Sequence, residues 1–104
     1  MHVIVAGVDE EDVGSAIEAE GHEVVAVDVA NRPSLEEAGI HETETFVLTE
    51  IEQATAIAIA KDLNPDLRVV VYASGSLPDF ARRQTDLVVD PKLLDAETVA
   101  EELR

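Results

Sequence analysis

Four consecutive acidic residues, Asp9 to Asp12, follow the apolar run "VIVAG" near the start of the chain. A strand, a glycine turn and a helix N-terminus are the usual parts of a phosphate-binding turn, which here would contain Gly7 and Gly14. Each carboxylate within ~4 Å of a phosphate charge costs about 1 kcal/mol in water and about 4 kcal/mol near a protein surface. A helix N-terminus offers an anion only ~0.3–2 kcal/mol. The acids therefore favour capping of the next helix, by Asp9 or Glu10, over phosphate binding.

Three more residues are candidates for a ligand site at the same end of the predicted strands. Asp28 closes the second apolar run, and Ser74 and Gly75 form a small polar loop after the fourth. Backbone amides of such a loop can bind an anion, although turn formation and capping of the next helix by Ser76 explain the loop more simply. The candidate cofactor-binding residues are Gly7, Gly14, Asp28, Ser74 and Gly75. The cofactor itself is not identified.

Carboxylates also gather at the predicted carboxyl ends of the strands: Asp9, Asp12, Asp28 and Glu50. Carboxylate oxygens are ligands that Mg²⁺ accepts, and this arrangement resembles the acidic pocket of receiver domains. The chain departs from that pattern at two positions. Thr49 stands where a receiver would have its phosphorylated aspartate, and Lys92 follows Pro91 where a receiver would have lysine before proline.

The sequence predicts no catalytic residue and no metal site. The chain has no cysteine, and its three histidines, His2, His22 and His41, are far apart without zinc-like spacing. The adjacent pair Arg82 and Arg83 favours internal ion pairs over a phosphate clamp. Since no nucleophile and base pair is present, an enzyme is the least favoured class of function.

The charge of the chain is strongly negative. It has 23 acidic and 7 basic residues among 104, a formal charge of −16 at pH 7. Apolar periodicity persists between the acids, which argues against a disordered acidic segment. Concentrated salt screens such self-repulsion, so the composition predicts a salt-adapted, cytoplasmic protein for which nucleic acid is an unfavourable partner. No apolar run approaches the ~20 residues of a membrane span, and no signal peptide is recognisable.

Five Val-rich runs alternate with helical segments, which predicts one domain over residues 1–104. Strands are expected near residues 2–6, 23–28, 45–48, 67–72 and 87–89. Continuous apolar strands indicate a parallel sheet covered on both faces, and hence a three-layer, doubly wound α/β fold. Capping boxes of Ser34 with Glu37 and of Thr49 with Glu52 are expected to open two helices. In the third helix, Ile51, Ala54, Ala58 and Leu63 are expected to share a face, and the last helix is expected to end at Leu103.

A family resemblance covers most of the chain. The "AGI" at 38–40, the acidic turn after the next strand, the helix ending in "NP" at 64–65 and the "VVDP" at 88–91 resemble the regulator-of-potassium-conductance domains, or Trk-uptake-regulator N-terminal fold. The resemblance implies a Rossmann-like domain in which "VDVANRPSLEEAGI" lacks one helix and strand, leaving the strand order 2-1-3-4-5. It also implies phosphate contacts near Gly7 and Gly14, a ribose contact at Asp28, and pairing through the final helix.

Three functions stay open. The favoured one is a non-enzymatic regulatory or interaction module derived from a nucleotide-binding Rossmann-like domain. The alternatives are a nucleotide- or cation-sensing domain that binds at the carboxyl edge of strands one and two, and a degenerate receiver-like domain. The expected partners are another protein or a second copy, the latter through the C-terminal helix with its apolar residues Leu93, Leu94, Val99 and Leu103.

Overall fold

The computed structural model describes residues 1–103, and its strands form one five-stranded sheet. The strands are β1 (His2–Ala6), β2 (Glu23–Val27), β3 (Thr45–Leu48), β4 (Arg68–Tyr72) and β5 (Leu87–Val89). Their order is β2-β1-β3-β4-β5, and every neighbouring pair is parallel. The predicted parallel α/β fold and its strand order are confirmed. Only Asp28 and Leu67 were predicted within strands and lie just outside them.

The helices cover both faces of the sheet, which confirms the three-layer prediction. They are α1 (Val13–Ala19), α2 (Arg32–Glu37), α3 (Thr55–Leu63), α4 (Asp79–Arg82) and α5 (Ala96–Glu102). Helices α1 and α5 share one apolar core with one face of the sheet, and α2, α3 and α4 share a second core with the other face. No helix within residues 1–103 is long and apolar enough to cross a membrane.

The central strands are buried on both sides, which explains their continuous apolar sequences. In β3, Phe46 packs into the core under α2 to α4, whereas Val47 packs into the core under α1 and α5. Val69 and Val70 divide in the same way in β4. A strand covered by helices on both faces has no solvent-facing row of side chains, so the usual alternation of polar and apolar residues is absent.

The prediction for the start of α2 is wrong. The helix begins at Arg32, because Asn31 is its N-cap: the Asn31 side chain accepts a hydrogen bond from the Ser34 amide at 3.0 Å. In return, the Ser34 hydroxyl accepts one from the Asn31 amide at 3.1 Å. Ser34 is therefore the third residue of a capping box rather than its first, and Pro33 fits the first turn, where no amide donor is required.

The predicted capping box of Thr49 with Glu52 is also wrong. Glu50, not Thr49, holds the N-cap position of the next turn, and the Thr49 hydroxyl instead donates a hydrogen bond to the Ala6 carbonyl at 3.0 Å. The chain passes through a 3₁₀ turn at Ile51–Gln53 before α3 starts at Thr55. In α3, Ala58 lies only partly buried, contrary to prediction, and the buried residues are Ala56, Ile57 and Ala60.

The apolar residues expected on one face of the last helix separate into two groups. Val99 and Leu103 are buried in the core, whereas Leu93 and Leu94 precede α5 and are exposed. The helix itself begins after Asp95, whose carboxylate accepts a hydrogen bond from the Thr98 amide at 2.8 Å. The last helix therefore uses its apolar side chains against its own sheet, and the expected pairing stripe is not a continuous surface on α5.

Candidate functional site

An open cleft of about 450 Å³ lies at the carboxyl edge of the sheet. Residues 8–11 after β1, 49–52 after β3, 72–74 at the end of β4 and 91–92 after β5 form its lining. Helices α1 and α3, which follow the neighbouring strands β1 and β3, lie on opposite faces of the sheet. The cleft thus sits at the topological switch point, where open α/β sheets usually bind ligands. We call it the carboxyl-edge cleft.

Glu50 connects the loops after β1 and β3. Its Oε1 accepts a hydrogen bond from the Val8 amide at 2.7 Å, although the two residues are 42 positions apart in the chain. Gln53 donates a second hydrogen bond to the same oxygen from its Nε2 at 3.2 Å. Charge-assisted hydrogen bonds of this kind are stronger than neutral ones. The carboxylate at the end of β3 is therefore already engaged by groups of the protein itself.

Gln53 extends this connection to the loop after β2. Its Nε2 donates to the Asp28 carbonyl at 2.8 Å, and its Oε1 accepts from the Ala30 amide at 2.8 Å. The Glu50 and Gln53 side chains thus join the loops after β1, β2 and β3 in one hydrogen-bond network. We call it the Glu50–Gln53 network.

Gly7 allows the loops after β1 and β3 to approach each other closely. Its φ is +103°, a left-handed conformation that side-chain-bearing residues rarely adopt. A Cβ atom at this position would lie 2.6 Å from the Thr49 hydroxyl oxygen and 3.0 Å from Glu50 Oε1. The close approach of the two loops therefore requires a glycine at this position.

The acidic turn before α1 provides the cap of that helix. The two Asp9 carboxylate oxygens accept hydrogen bonds from the Val13 amide at 2.7 Å and the Gly14 amide at 2.8 Å. Asp12 precedes the helix with a φ of +60° and makes no capping bond from its side chain. Capping by Asp9 was one of the two predicted arrangements, and it leaves the first helical amides bonded to a carboxylate of the chain.

Asp90 connects the loops after β4 and β5. Its Oδ1 accepts hydrogen bonds from the Lys92 amide at 2.9 Å and the Ser74 hydroxyl at 3.0 Å. These bonds stabilise the ionised form, the Lys92 amide most strongly, and lower the pKa of Asp90 below its ordinary value. A second connection lies deeper: the Tyr72 hydroxyl donates to the Leu94 carbonyl at 2.8 Å. Burial, and then the nearby carboxylates led by Glu11, raise the pKa of Tyr72, so its phenol stays protonated and able to donate.

The five predicted cofactor-binding residues do not line one site. Only Ser74 belongs to the lining of the carboxyl-edge cleft. Gly7 is covered by Thr49, and Gly14 is buried within α1 beneath Asp9. Asp28 is exposed beyond the end of β2, and Gly75, with a φ of +119°, turns the chain after β4. The residues that sequence reasoning missed are Val8 and Gln53, because their contacts depend on loops that are distant in sequence.

The predicted carboxylate group does not form a metal site within residues 1–103. No set of three or more histidine, aspartate or glutamate side chains is placed there to hold a metal ion. Asp9 faces the amides of α1, Glu50 faces the Val8 amide, and Asp12 accepts a hydrogen bond from the Ser15 hydroxyl at 3.3 Å. Arg82 forms an ion pair with Asp79 at 3.8 Å, in agreement with the predicted internal ion pair.

Solved structures with a similar fold are mostly response-regulator receiver domains. An orphan response regulator of H. pylori matches with a TM-score of 0.75 at 10% identity, over 99% of this chain and 92% of that one. A CheY-like receiver domain from Methanospirillum hungatei matches with a TM-score of 0.71 at 16% identity, over 98% and 89% of the two chains. At these identities the likeness shows the fold alone, a flavodoxin-like sheet with its order 2-1-3-4-5.

The predicted resemblance to the Trk-uptake-regulator family is not favoured. The TrkA-N domain of an inner membrane protein of Escherichia coli matches with a lower TM-score, 0.58, at 17% identity, over 99% of this chain and 96% of that one. A Rossmann-like domain must lose one helix and strand to reach this strand order, whereas a receiver fold has the order without any loss.

A comparison with curated proteins found no match. A family model does match, and it covers residues 3–103, nearly the whole chain. The match spans all five strands, the carboxyl-edge cleft and the Glu50–Gln53 network. This chain belongs to the family of unknown function DUF7126.

Proposed function

We propose that the chain is a non-enzymatic regulatory or interaction module of receiver-like fold that acts without phosphorylation of its own cleft. The observation that carries the proposal is the state of Glu50, whose carboxylate is already bonded to the Val8 amide at 2.7 Å. The neighbouring Thr49 hydroxyl is bonded to the Ala6 carbonyl. Both side chains at the end of β3 are therefore already bonded to groups of the protein itself, and neither is the aspartate that a receiver domain phosphorylates.

The charge of the carboxyl-edge cleft supports the same proposal. Five acidic residues contribute to its lining, against a single base, Lys92: the acids are Asp9, Glu10, Glu11, Glu50 and Glu52. A phosphoryl group carries up to two negative charges, and each carboxylate close to it adds a repulsive energy of about 1–4 kcal/mol. Without a bound cation, the cleft disfavours both a phosphorylated side chain and a nucleotide phosphate.

Nucleotide or cation sensing at Gly7, Gly14, Asp28, Ser74 and Gly75 is the competing proposal. A nucleotide phosphate at the start of α1 would have to displace the Asp9 carboxylate from the Val13 and Gly14 amides. We therefore place this proposal second. Salt adaptation, a cytoplasmic location and a single domain over residues 1–104 remain predictions from composition and pattern.

Chemical phosphorylation tests the main proposal. The protein is incubated with acetyl phosphate and Mg²⁺ and analysed by intact mass spectrometry, next to a receiver domain that keeps its acceptor aspartate. We expect the control to gain a phosphoryl group and this chain to gain none. Incorporation at Thr49 or Glu50 would contradict the proposal. Calorimetric titration with ATP and NAD, with and without Mg²⁺, tests the competing one, and micromolar binding that is lost in Asp28→Ala would support sensing instead.

The Glu50–Gln53 network predicts a measurable loss of stability when Glu50 is truncated. Glu50→Ala should lower the free energy of unfolding by about 1–2 kcal/mol, because a charge-assisted hydrogen bond between two loops is lost. Glu50→Gln keeps an acceptor oxygen and should cost less. The control is Glu52→Ala, an exposed acid on the same turn. Denaturant unfolding measures all three variants, and an equal loss in Glu50→Ala and Glu52→Ala would show that the network contributes nothing.

A further inference from the structure

Strand β2 forms one edge of the sheet and carries unpaired backbone groups. It pairs with β1 alone, and the pairing is continuous from Glu23 to Val27. The Glu23 amide and the Val27 carbonyl form hydrogen bonds of 3.0 and 2.8 Å to the residues that flank β1. Because a residue of a parallel strand directs both of its backbone groups to the same side, the amides and carbonyls of Val24 and Ala26 point away from β1. Within residues 1–103, no other strand or loop bonds to them.

The devices that usually protect an edge strand are missing from β2. Natural edge strands are short, or they carry lysine, proline or a bulge. Strand β2 has five residues, "EVVAV", without lysine or proline and without a break in its pairing. Strand β5, at the opposite edge, has only three residues and is followed by Asp90 and Pro91. Val25 is 43% exposed, and Val29, just beyond β2, is 63% exposed. We call the outward backbone of residues 23–27, with the Val25 side chain, the β2 edge.

The charge around the β2 edge is negative. Residues 1–31, which form β1, α1 and β2, contain eight acids and neither lysine nor arginine. Two of these acids, Glu23 and Asp28, lie at the two ends of β2 and are exposed. A second copy paired to this edge would bring the same charges together, whereas a segment with lysine or arginine would meet opposite charge. The unpaired backbone therefore selects an extended segment, and the charge selects a basic one.

We propose that the β2 edge binds an extended, basic segment of another protein, which adds to the sheet as a further strand. The backbone groups of Val24 and Ala26 bond to the backbone of that segment, and Val25 contacts its apolar side chains. Glu23 and Asp28 lie close to its lysine or arginine side chains. This inference rests on the interaction role proposed above and gives the class of partner. It uses no residue of the carboxyl-edge cleft, so the phosphorylation experiment and the experiment on β2 can fail separately.

Fluorescence polarisation with short labelled peptides tests the proposal on the full chain, in about 0.1 M potassium chloride, where charges still attract over ~10 Å. The probe peptide alternates valine with lysine. One control peptide alternates valine with glutamate, and the other is the lysine peptide with methylated backbone amides, which cannot donate hydrogen bonds to a strand.

Three variants of the chain complete the design. Ala26→Pro removes an outward amide, at a position where an edge strand tolerates proline. Asp28→Lys reverses one charge beside the β2 edge. Its matched control is Asp66→Lys, because Asp66 is also an exposed aspartate but lies between α3 and β4. Circular dichroism confirms that each variant is folded.

We expect the lysine peptide to bind, and its dissociation constant to rise at least about tenfold in Ala26→Pro. The methylated and glutamate peptides should bind the unchanged protein at least about tenfold more weakly than the lysine peptide. Asp28→Lys should weaken binding at least about threefold more than Asp66→Lys does. Absence of binding would overturn the proposal, and so would equal binding of the methylated peptide or of the glutamate peptide. A dimer of the free protein that Ala26→Pro abolishes would assign the β2 edge to a second copy and overturn it too.

Amide hydrogen exchange adds a measurement that needs no variant. In the free protein, the Val24 and Ala26 amides should exchange rapidly, whereas the Val25 amide should exchange slowly because it is directed toward β1. The lysine peptide should slow exchange at Val24 and Ala26 at least about tenfold. If the peptide binds while exchange at these two amides is unchanged, it occupies another surface and the proposal is wrong.

Discussion

Gly7 lies where the loops after β1 and β3 approach each other closely at the carboxyl-edge cleft. Gly7→Ala would place a Cβ atom 2.6 Å from the Thr49 hydroxyl oxygen, and it would force a left-handed φ of +103° on a residue that avoids this conformation. We expect the free energy of unfolding to fall by about 2–4 kcal/mol. Denaturant unfolding provides the measurement.

Gly21→Ala is the matched control for that substitution. Gly21 also has a left-handed φ, +92°, but a Cβ atom there would meet nothing within 4 Å. Gly21→Ala should therefore lower the free energy of unfolding by about 1 kcal/mol, the penalty of the left-handed conformation alone. The difference between the two variants isolates the contact with Thr49 and Glu50, and equal losses would mean that the loops can move apart to accommodate a methyl group.

At the scale of single residues, the sequence predicted which glycine matters but not why. Gly7 was expected to leave room for a phosphate, and the structure uses the same freedom to bring Thr49 and Glu50 over the end of β1. A glycine in a strand-to-helix turn permits close approach by any group, whether a ligand or another loop. The residue type alone could not distinguish these uses, because the approaching group lies 42 residues away.

Asp90 joins the loops after β4 and β5 on the other side of the cleft, and its carboxylate makes this connection sensitive to acid. Hydrogen bonds from the Lys92 amide and the Ser74 hydroxyl hold the pKa of Asp90 below its ordinary value of 3.8. A carboxyl with a lowered pKa in the folded state contributes stability that is present above its unfolded pKa and is lost as pH falls through the folded pKa. The free energy of unfolding of the unchanged protein should therefore exceed that of Asp90→Asn by a constant amount above about pH 5, and this difference should shrink below about pH 4.

Ser74→Ala sharpens this test. It removes one of the two hydrogen bonds, so the pKa of Asp90 should move back toward 3.8. Because the linked stability scales with the difference between the folded and unfolded pKa, the loss of stability in acid should be smaller than in the unchanged protein and complete at a higher pH. Thermal unfolding across acidic pH measures both variants. If the difference in stability between the unchanged protein and Asp90→Asn were independent of pH, the charge of Asp90 would not contribute to the connection between these loops.

At the scale of elements, sheet topology was more predictable than helix starts. Each buried strand is a continuous apolar run, such as "VVVY" in β4, and a parallel sheet follows from five such runs alternating with helices. Helix starts depend on competition between neighbouring polar residues. Asn31 and Ser34 both cap helices well, and the Thr49 hydroxyl bonds to the Ala6 carbonyl of β1 and does not cap a helix. Local patterns do not contain the information that decides such competitions.

The whole molecule carries its charge on a small surface, which predicts a response to salt. With a formal charge of −16 in 104 residues, repulsion should oppose folding in dilute buffer and weaken as potassium chloride rises from about 0.1 M to about 2 M. We expect the midpoint of thermal unfolding to rise over this range. Replacing three acids of the carboxyl-edge cleft, Glu10→Gln, Glu11→Gln and Glu52→Gln, should raise the midpoint in dilute buffer and reduce its dependence on salt. A midpoint that stays constant or falls would contradict salt adaptation.

The Asp9 cap also determines how this fold can respond to anions in its surroundings. Asp9 is only four and five residues from the amides of Val13 and Gly14 that it occupies. A group attached by so short a segment acts at an effective concentration on the order of millimolar or above. The Asp9 carboxylate thereby acts as a tethered competitor for these amides. A phosphate-bearing metabolite would have to be present above that effective concentration, or bind the amides more tightly than the carboxylate does, before it could occupy the start of α1.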